Sequence, residues 1–268
     1  GLPNIQALAN PKINLATQIF TNDNKVLGTY YRENRSDVKF QDLPTHLVQA
    51  LIATEDVRFK EHSGVDFKSL LRALSSLGSQ GGGSTITQQL AKMQFTERYD
   101  KVSKVKRGWQ KLKEIIIAVR LERHYTKDEI IALYLNQYDF LNQAVGIKSA
   151  AHIYFNTKPD SLNIEQCAML VGMLQNSSLY NPLKRKEKVT QRREVVLKQM
   201  KVAGYLNGVQ YDSIRQIPIA LDFQRVSHDE GPAPYFREVL RARINDILNE
   251  KDKNGNFVHV KGDGTQYD

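Results

Sequence analysis

The chain is 268 residues long, 41% hydrophobic and 25% charged, the composition of an ordinary globular protein with room for one large domain or two modest ones. Thirty-eight Lys and Arg against twenty-nine Asp and Glu leave a formal charge of +9, and that excess favours an anionic partner: nucleic acid, anionic lipid or a phosphate-bearing substrate. A lone cysteine, Cys167, excludes an internal disulfide and a cysteine metal cluster, the histidines form no zincin motif, and no apolar run approaches the ~18 residues of a membrane span.

The first predicted elements are two short alternating stretches, 16–20 and 25–30. Asn22-Asp23-Asn24 between them is turn chemistry, so the pattern predicts a small β-hairpin. From Leu43-Pro44-Thr45 the period becomes helical, with Leu47, Leu51 and Ile52 on one face and Pro44 suited to a first turn. Helical patterns then recur over 66–77, 85–95, 102–123, 127–136, 143–154, 164–174 and 187–203. Four glycines between Gly78 and Gly83 mark a loop. The predicted fold is therefore mainly α. Past Asp222 comes a connector, Ser227 to Pro234, then an amphipathic helix from about Tyr235 to Asn249 and a charged, glycine-bearing end. The expected divisions are a lead-in over 1–42, a main domain over 43–206 and a linker over 207–268.

Five segments carry candidate chemistry. In the first, Glu55 and Asp56 close an apolar helix, with Phe59, His62, Gly64 and Asp66 following. A carboxylate at such a helix end is partly desolvated, which raises its pKa toward the range of a general base. In the second, Gly81 to Gly83 deliver Ser84 and Thr85 as N-caps of a helix that runs on through Gln88, Gln89 and Lys92. Its free N–H groups suit an anion or a sugar hydroxyl, and it lacks the spacing of a Walker loop. The third, Gln110-Lys111-x-Lys113-Glu114, sets one acid among cations, where it can bridge to them or hold a divalent metal beside a phosphate. The fourth, Lys127 to Asn136 with Ile130 and Tyr134, and the fifth, Arg192-Arg193 to Leu197, taken singly have the pattern of core helices. Between Lys92 and Lys127, eleven Lys or Arg stand against four Asp or Glu.

Together, in this order and spacing, the five segments resemble the peptidoglycan glycosyltransferase domain, glycosyltransferase family 51, of class A bifunctional penicillin-binding proteins. The match runs from about Leu43 to Met200, and the run Gly83-Ser84-Thr85-Ile86-Thr87-Gln88-Gln89-Leu90 is highly specific. One position departs: the arginine of the third motif is Gln110 here, and Arg107, three residues earlier on the same helical face, is expected to stand in for it.

The resemblance implies a lysozyme-like bilobal fold, with a helical head and a smaller, mobile jaw lobe at the membrane. It implies polymerisation of lipid II into β-1,4-linked glycan by an inverting displacement of undecaprenyl pyrophosphate. Glu55 matches the family's base and Glu114 its second carboxylate, with Mg2+ or Mn2+ as the metal that Glu114 would hold. Lys92 and Arg98 match pyrophosphate-binding cations, and Asp56, Phe59, His62, Ser84, Thr85, Gln88, Gln89, Lys111 and Asn136 the remaining substrate-binding positions. Implied partners are lipid II and the growing glycan, the membrane surface through the jaw, expected over Thr96 to Gln110, and other cell-wall synthesis proteins, at the outer face of the bacterial inner membrane.

Two other classes compete. A lysozyme-like hydrolase or lytic transglycosylase would use a similar glutamate, but its sugar leaving group has no use for a cation cluster. A nucleic-acid-binding domain needs stacking aromatics among its cations, and Phe95, Tyr99, Trp109 and Tyr125 are too scattered for that, so no nucleic acid is expected. No S-x-x-K with S-x-N and K-T-G partners is present, so a transpeptidase nucleophile is missing. Residues 231–238 resemble a lead-in to a transpeptidase domain, and the chain is expected to be the front part of a longer protein without its membrane anchor.

Overall fold

The structure, a computed structural model, describes residues 17–20, 26–30, 37–75, 83–95, 104–224, 239, 242–244, 246–252 and 257–259. The chain divides into two compact units, one of Gly1–Ile13 with Glu33–Arg225 and the other of Asn14–Arg32 with Val226–Asp268. In the second unit β1 (Thr17–Phe20) pairs antiparallel with β2 (Val26–Tyr30), Thr17 opposite Tyr30 and Ile19 opposite Gly28. The expected turn at Asn22-Asp23-Asn24 lies outside the described residues. Helical backbone at 239, 242–244 and 246–248 falls within the helix expected near the C-terminus.

The first unit is helical: α1 (Thr45–Glu55), α2 (Phe67–Ser75), α3 (Ile86–Phe95), α4 (Lys104–His124), α5 (Lys127–Gln137), α6 (Ile147–Phe155), α7 (Ile164–Met173), α8 (Lys186–Val202) and α9 (Gly208–Gln216). Short 3-10 turns at Phe40–Asp42 and Pro159–Ser161 precede α1 and α7. Among the described residues no helix is long and apolar enough to cross a membrane.

Caps fix the helix starts. Thr126 and Glu129 form a reciprocal capping box on α5, Asn163 and Gln166 one on α7, and Asn207 and Gln210 one on α9. Helix α9 is not among the expected helices, because it buries little beyond Tyr211 and so shows a weak apolar period. The pattern expected from 143 starts later in the fold: Leu141, Asn142 and Gln143 all have positive φ and α6 begins only after Gly146.

The core gathers around α7, whose residues from Cys167 to Met173 are all buried and which packs on α1 and α8. Tyr134, Tyr154, Phe59 and Phe140 are its largest fully buried side chains. Helix α1 contributes Leu47, Ala50, Leu51, Ile52 and Ala53, so its C-terminal residue, Glu55, is delivered to the edge of the core. Helix α3 packs between α4 and α5 and brings its own start to the same place.

Candidate active site

All five sequence segments converge on α3 or on Glu55. The first segment is tied to the start of α3 by Asp56, which ends α1. One Asp56 oxygen accepts the Ile86 backbone N–H at 3.0 Å, and both lie 3.0 Å from His62 Nε2. The Gly64 N–H donates to His62 Nδ1 at 3.2 Å, which makes Nδ1 the acceptor and leaves the proton on Nε2 facing Asp56. Thr85 caps α3, its hydroxyl donating to the Gly64 carbonyl at 2.8 Å while its oxygen accepts from Gln88 N–H at 3.1 Å. Gln88 Nε2 donates to that carbonyl as well, at 3.2 Å. Gly64 has φ +92°, and a Cβ there would lie 2.8 Å from the backbone of Ala118 in α4, so the loop reaches that backbone only as glycine.

Two consecutive glutamines of α3 then carry the two halves of the site. Gln89 Nε2 donates to Glu55 Oε2 at 2.9 Å. Gln88 Oε1 accepts from Lys111 Nζ at 2.8 Å, and the same ammonium donates to Ser84 Oγ at 2.7 Å and stands 3.5 Å from Glu114. Neighbours on a helix point about 100° apart. One turn of α3 thus presents a carboxylate on one side and a cation on the other.

Burial raises the Glu55 pKa above the ordinary carboxylate value, against the opposing pull of the Gln89 hydrogen bond and of Arg192, whose guanidinium lies 3.7 Å away. The side chains of Arg192 and Glu55 are only 14% and 12% exposed. Arg192 reaches Glu55 across Gly172, where a Cβ would come within 3.1 Å of its Cγ, and it lies over the Tyr180 ring. Burial lowers the Lys111 pKa, with Lys92 and Arg107 pushing the same way and Glu114 opposing. Lys92 and Arg107 therefore act on the same small region as Lys111.

The other predicted residues sit as follows. Phe59 is fully buried, with Lys127 Nζ 4.2 Å from its ring centre, so it acts through packing. Lys127 also donates to the His62 carbonyl at 2.6 Å and pairs with buried Glu122 at 2.8 Å. Both polar atoms of the Asn136 side chain are taken up by the backbone of Val38, at 2.9 Å each, which ties α5 to the segment before α1. Lys92 is exposed on α3 and Arg98 lies outside the described residues. Glu114 is buried, and among the described residues no three His, Cys, Asp or Glu groups converge as a metal cage.

Two residues at the site, Arg192 and Tyr134, belong to the motif segments but are given no role by the sequence. The Tyr134 hydroxyl donates to Gln89 Oε1 at 2.9 Å. Both lie in segments whose pattern is that of core helices, and their membership of the five-segment set was the one available signal.

A family model described as Transglycosylase matches residues 23–201. The chain is 34% identical over 248 residues to Penicillin-binding protein 1A of Pseudomonas aeruginosa, covering 91% of this chain and 29% of that protein. It is 35% identical over 247 residues to Penicillin-binding protein 1A of Escherichia coli K12, covering 91% and 28%, and 37% identical over 200 residues to Penicillin-binding protein 1F of Bacillus subtilis, covering 73% and 27%. The chain thus spans less than a third of the length of these relatives. With all five motif segments gathered about one helix and the family model matched across them, the chain belongs to the transglycosylase family.

Proposed function

We propose that this domain is a peptidoglycan glycosyltransferase that polymerises lipid II, taking the 4-hydroxyl of one unit as nucleophile and expelling undecaprenyl pyrophosphate from the other. The observation that carries the reading is the pairing on α3: a desolvated carboxylate, Glu55, held by Gln89, beside a cation, Lys111, held by Gln88. The displacement needs a base at the hydroxyl and positive charge at the departing phosphate. Glu55 takes the proton; Lys111, with Lys92 and Arg98, receives the pyrophosphate. Glycan cleavage by a two-carboxylate route finds less support, because the acid next to Glu55 is Asp56, whose oxygens already accept from His62 and Ile86. Incubating the chain with lipid II and Mg2+ or Mn2+ tests the reading: glycan polymer is expected, and shortening of preformed glycan in its place would overturn it.

A divalent ion fits here only as a guest of the substrate. Glu114 would supply one oxygen, and phosphate oxygens and water the rest, which is the habit of Mg2+ at phosphate sites. When bound, such an ion would add positive charge at the leaving group.

The head-and-jaw arrangement and the membrane contact belong to the same proposal, at the outer face of the bacterial inner membrane and among other cell-wall synthesis proteins. Trp109, Leu112 and Ile116 follow at i, i+3 and i+7 on α4 and are exposed, Trp109 at 65%, while Glu114, Ile117, Ala118 and Leu121 of the same helix are buried. An exposed apolar stripe beside Lys106 and Arg107 has the composition of an interfacial element. Trp109→Ala with charge reversal of Lys104 and Lys106 is expected to lower the fraction of protein floating with anionic liposomes several-fold. Unchanged flotation would remove the membrane contact from the proposal.

Gln110, in place of the motif arginine, directs attention to Arg107, which raises the positive potential at Lys111. Arg107→Ala should reduce polymerisation by roughly tenfold, the loss of about 1.4 kcal/mol of charge stabilisation, and Lys104→Ala by far less. Equal, small effects of the two changes would end the idea of a replacement.

A further inference from the structure

We propose that Tyr134 is a positioning residue for the base: its hydroxyl hydrogen fixes the Gln89 amide with the NH2 group turned toward Glu55. The inference rests on the reading of Glu55 as base and deepens it. The two ends of a glutamine amide have nearly the same shape but opposite hydrogen-bonding character. With NH2 toward Glu55 the carboxylate is stabilised; with the oxygen toward it, Glu55 is favoured only when it keeps its proton.

The chain of contacts runs through three helices. Tyr134 of α5 donates to Gln89 Oε1 at 2.9 Å, and Gln89 of α3 donates to Glu55 Oε2, at the end of α1, at 2.9 Å. Reversal of the chain would have protonated Glu55 donate to Gln89, and Gln89 donate to the phenol oxygen. The phenol hydrogen would then need another acceptor. Tyr134 is fully buried, and Gln89 is the hydrogen-bond partner of its hydroxyl among the described residues. A buried donor left without a partner is costly, so the phenol disfavours the reversed chain. Burial also holds the Tyr134 pKa well above that of an ordinary phenol, which keeps the hydrogen in place across the working pH range.

The charged and titratable groups around Glu55 are Arg192 from α8, Asp56 beside it, Tyr134 from α5 and Tyr138, which caps α5. Of these, Tyr134→Phe changes one hydroxyl and leaves the ring in the core. Without that hydroxyl, Gln89 Oε1 loses the donor that holds it away from Glu55, the NH2-inward amide loses its advantage, and Glu55 retains its proton to higher pH.

The test is the pH dependence of kcat/KM for lipid II polymerisation together with a carbon-13 carboxyl titration of Glu55 in the full chain, assigned with Glu55→Gln. Tyr134→Phe is expected to move the Glu55 titration and the acid limb upward by on the order of one pH unit, tenfold in activity below the limb, with the alkaline plateau within about twofold of the parent. Gln89→Leu should move the titration by itself, and Tyr134→Phe added to it should move it no further. An unmoved titration in Tyr134→Phe, or a plateau that falls while the limb stays, would overturn the positioning role. That outcome is separate from failure of the base reading, which would appear as retained activity in Glu55→Gln whatever Tyr134 does.

Discussion

Glu55→Gln is expected to lower polymerisation of lipid II by about 10²–10⁴-fold, the usual share of a general base, while the fold persists. The amide fills the same space and still offers Gln89 an acceptor oxygen, but it cannot take a proton. Retained activity of more than a few per cent would remove the base assignment. The same substitution has an effect on stability of the opposite sign. Burial raises the Glu55 pKa above its value in the unfolded chain, so the folded protein holds this proton to higher pH. As pH rises through that window the unfolded state releases its proton first, and folding stability falls. A residue that never ionises escapes the loss. Above the window the urea midpoint of Glu55→Gln should lie at or above that of the parent, and below it the two should converge. A variant less stable than the parent only at high pH would contradict the direction of the shift.

Asp56→Ala is expected to do the reverse of its neighbour and fail chiefly through the fold. Asp56 is buried and accepts from the His62 imidazole and from the Ile86 N–H that begins α3. Truncation strands both donors in the core at about 1–3 kcal/mol each, so a loss of roughly 3 kcal/mol in urea unfolding is the expected result. Activity should fall as well, since the start of α3 carries Ser84, Gln88 and Gln89. A normal denaturation midpoint with lost turnover would instead place Asp56 among the groups that touch substrate. Adjacent in sequence, the two acids thus separate by experiment: one is read in rate, the other in stability.

Why sequence located Glu55 and Gln89 but gave Tyr134 and Arg192 no role beside them follows from what periodicity can report. The spacing of apolar residues tells which face of a helix turns inward, and it placed seven helical stretches close to α2 through α8. It does not tell which helices meet. Tyr134 and Arg192 lie on α5 and α8, and only the packing of those helices against α3 and α1 shows that the polar tips of these two side chains end at the site. Asn136 is the opposite case. The family resemblance implies a binding role for it, and in the fold the Val38 backbone, remote in sequence, takes both its polar atoms. Helix α9 escaped notice because most of its surface faces water, although Asn207 and Gln210 had the spacing of a capping box.

The placement of Gln88 and Gln89 side by side has a consequence for how such a site can change over time. Base and cation are held by one rigid rod, so neither can be adjusted alone. A residue inserted between them would swing the second amide by about 100° and carry it about 1.5 Å along the axis, detaching either Glu55 or Lys111. Variation in reach or specificity is therefore confined to the ends of the rod and to the loops that feed it, while its first turn behaves as a fixed gauge for the separation between Glu55 and Lys111, which on the proposed function is that between the attacking hydroxyl and the departing phosphate.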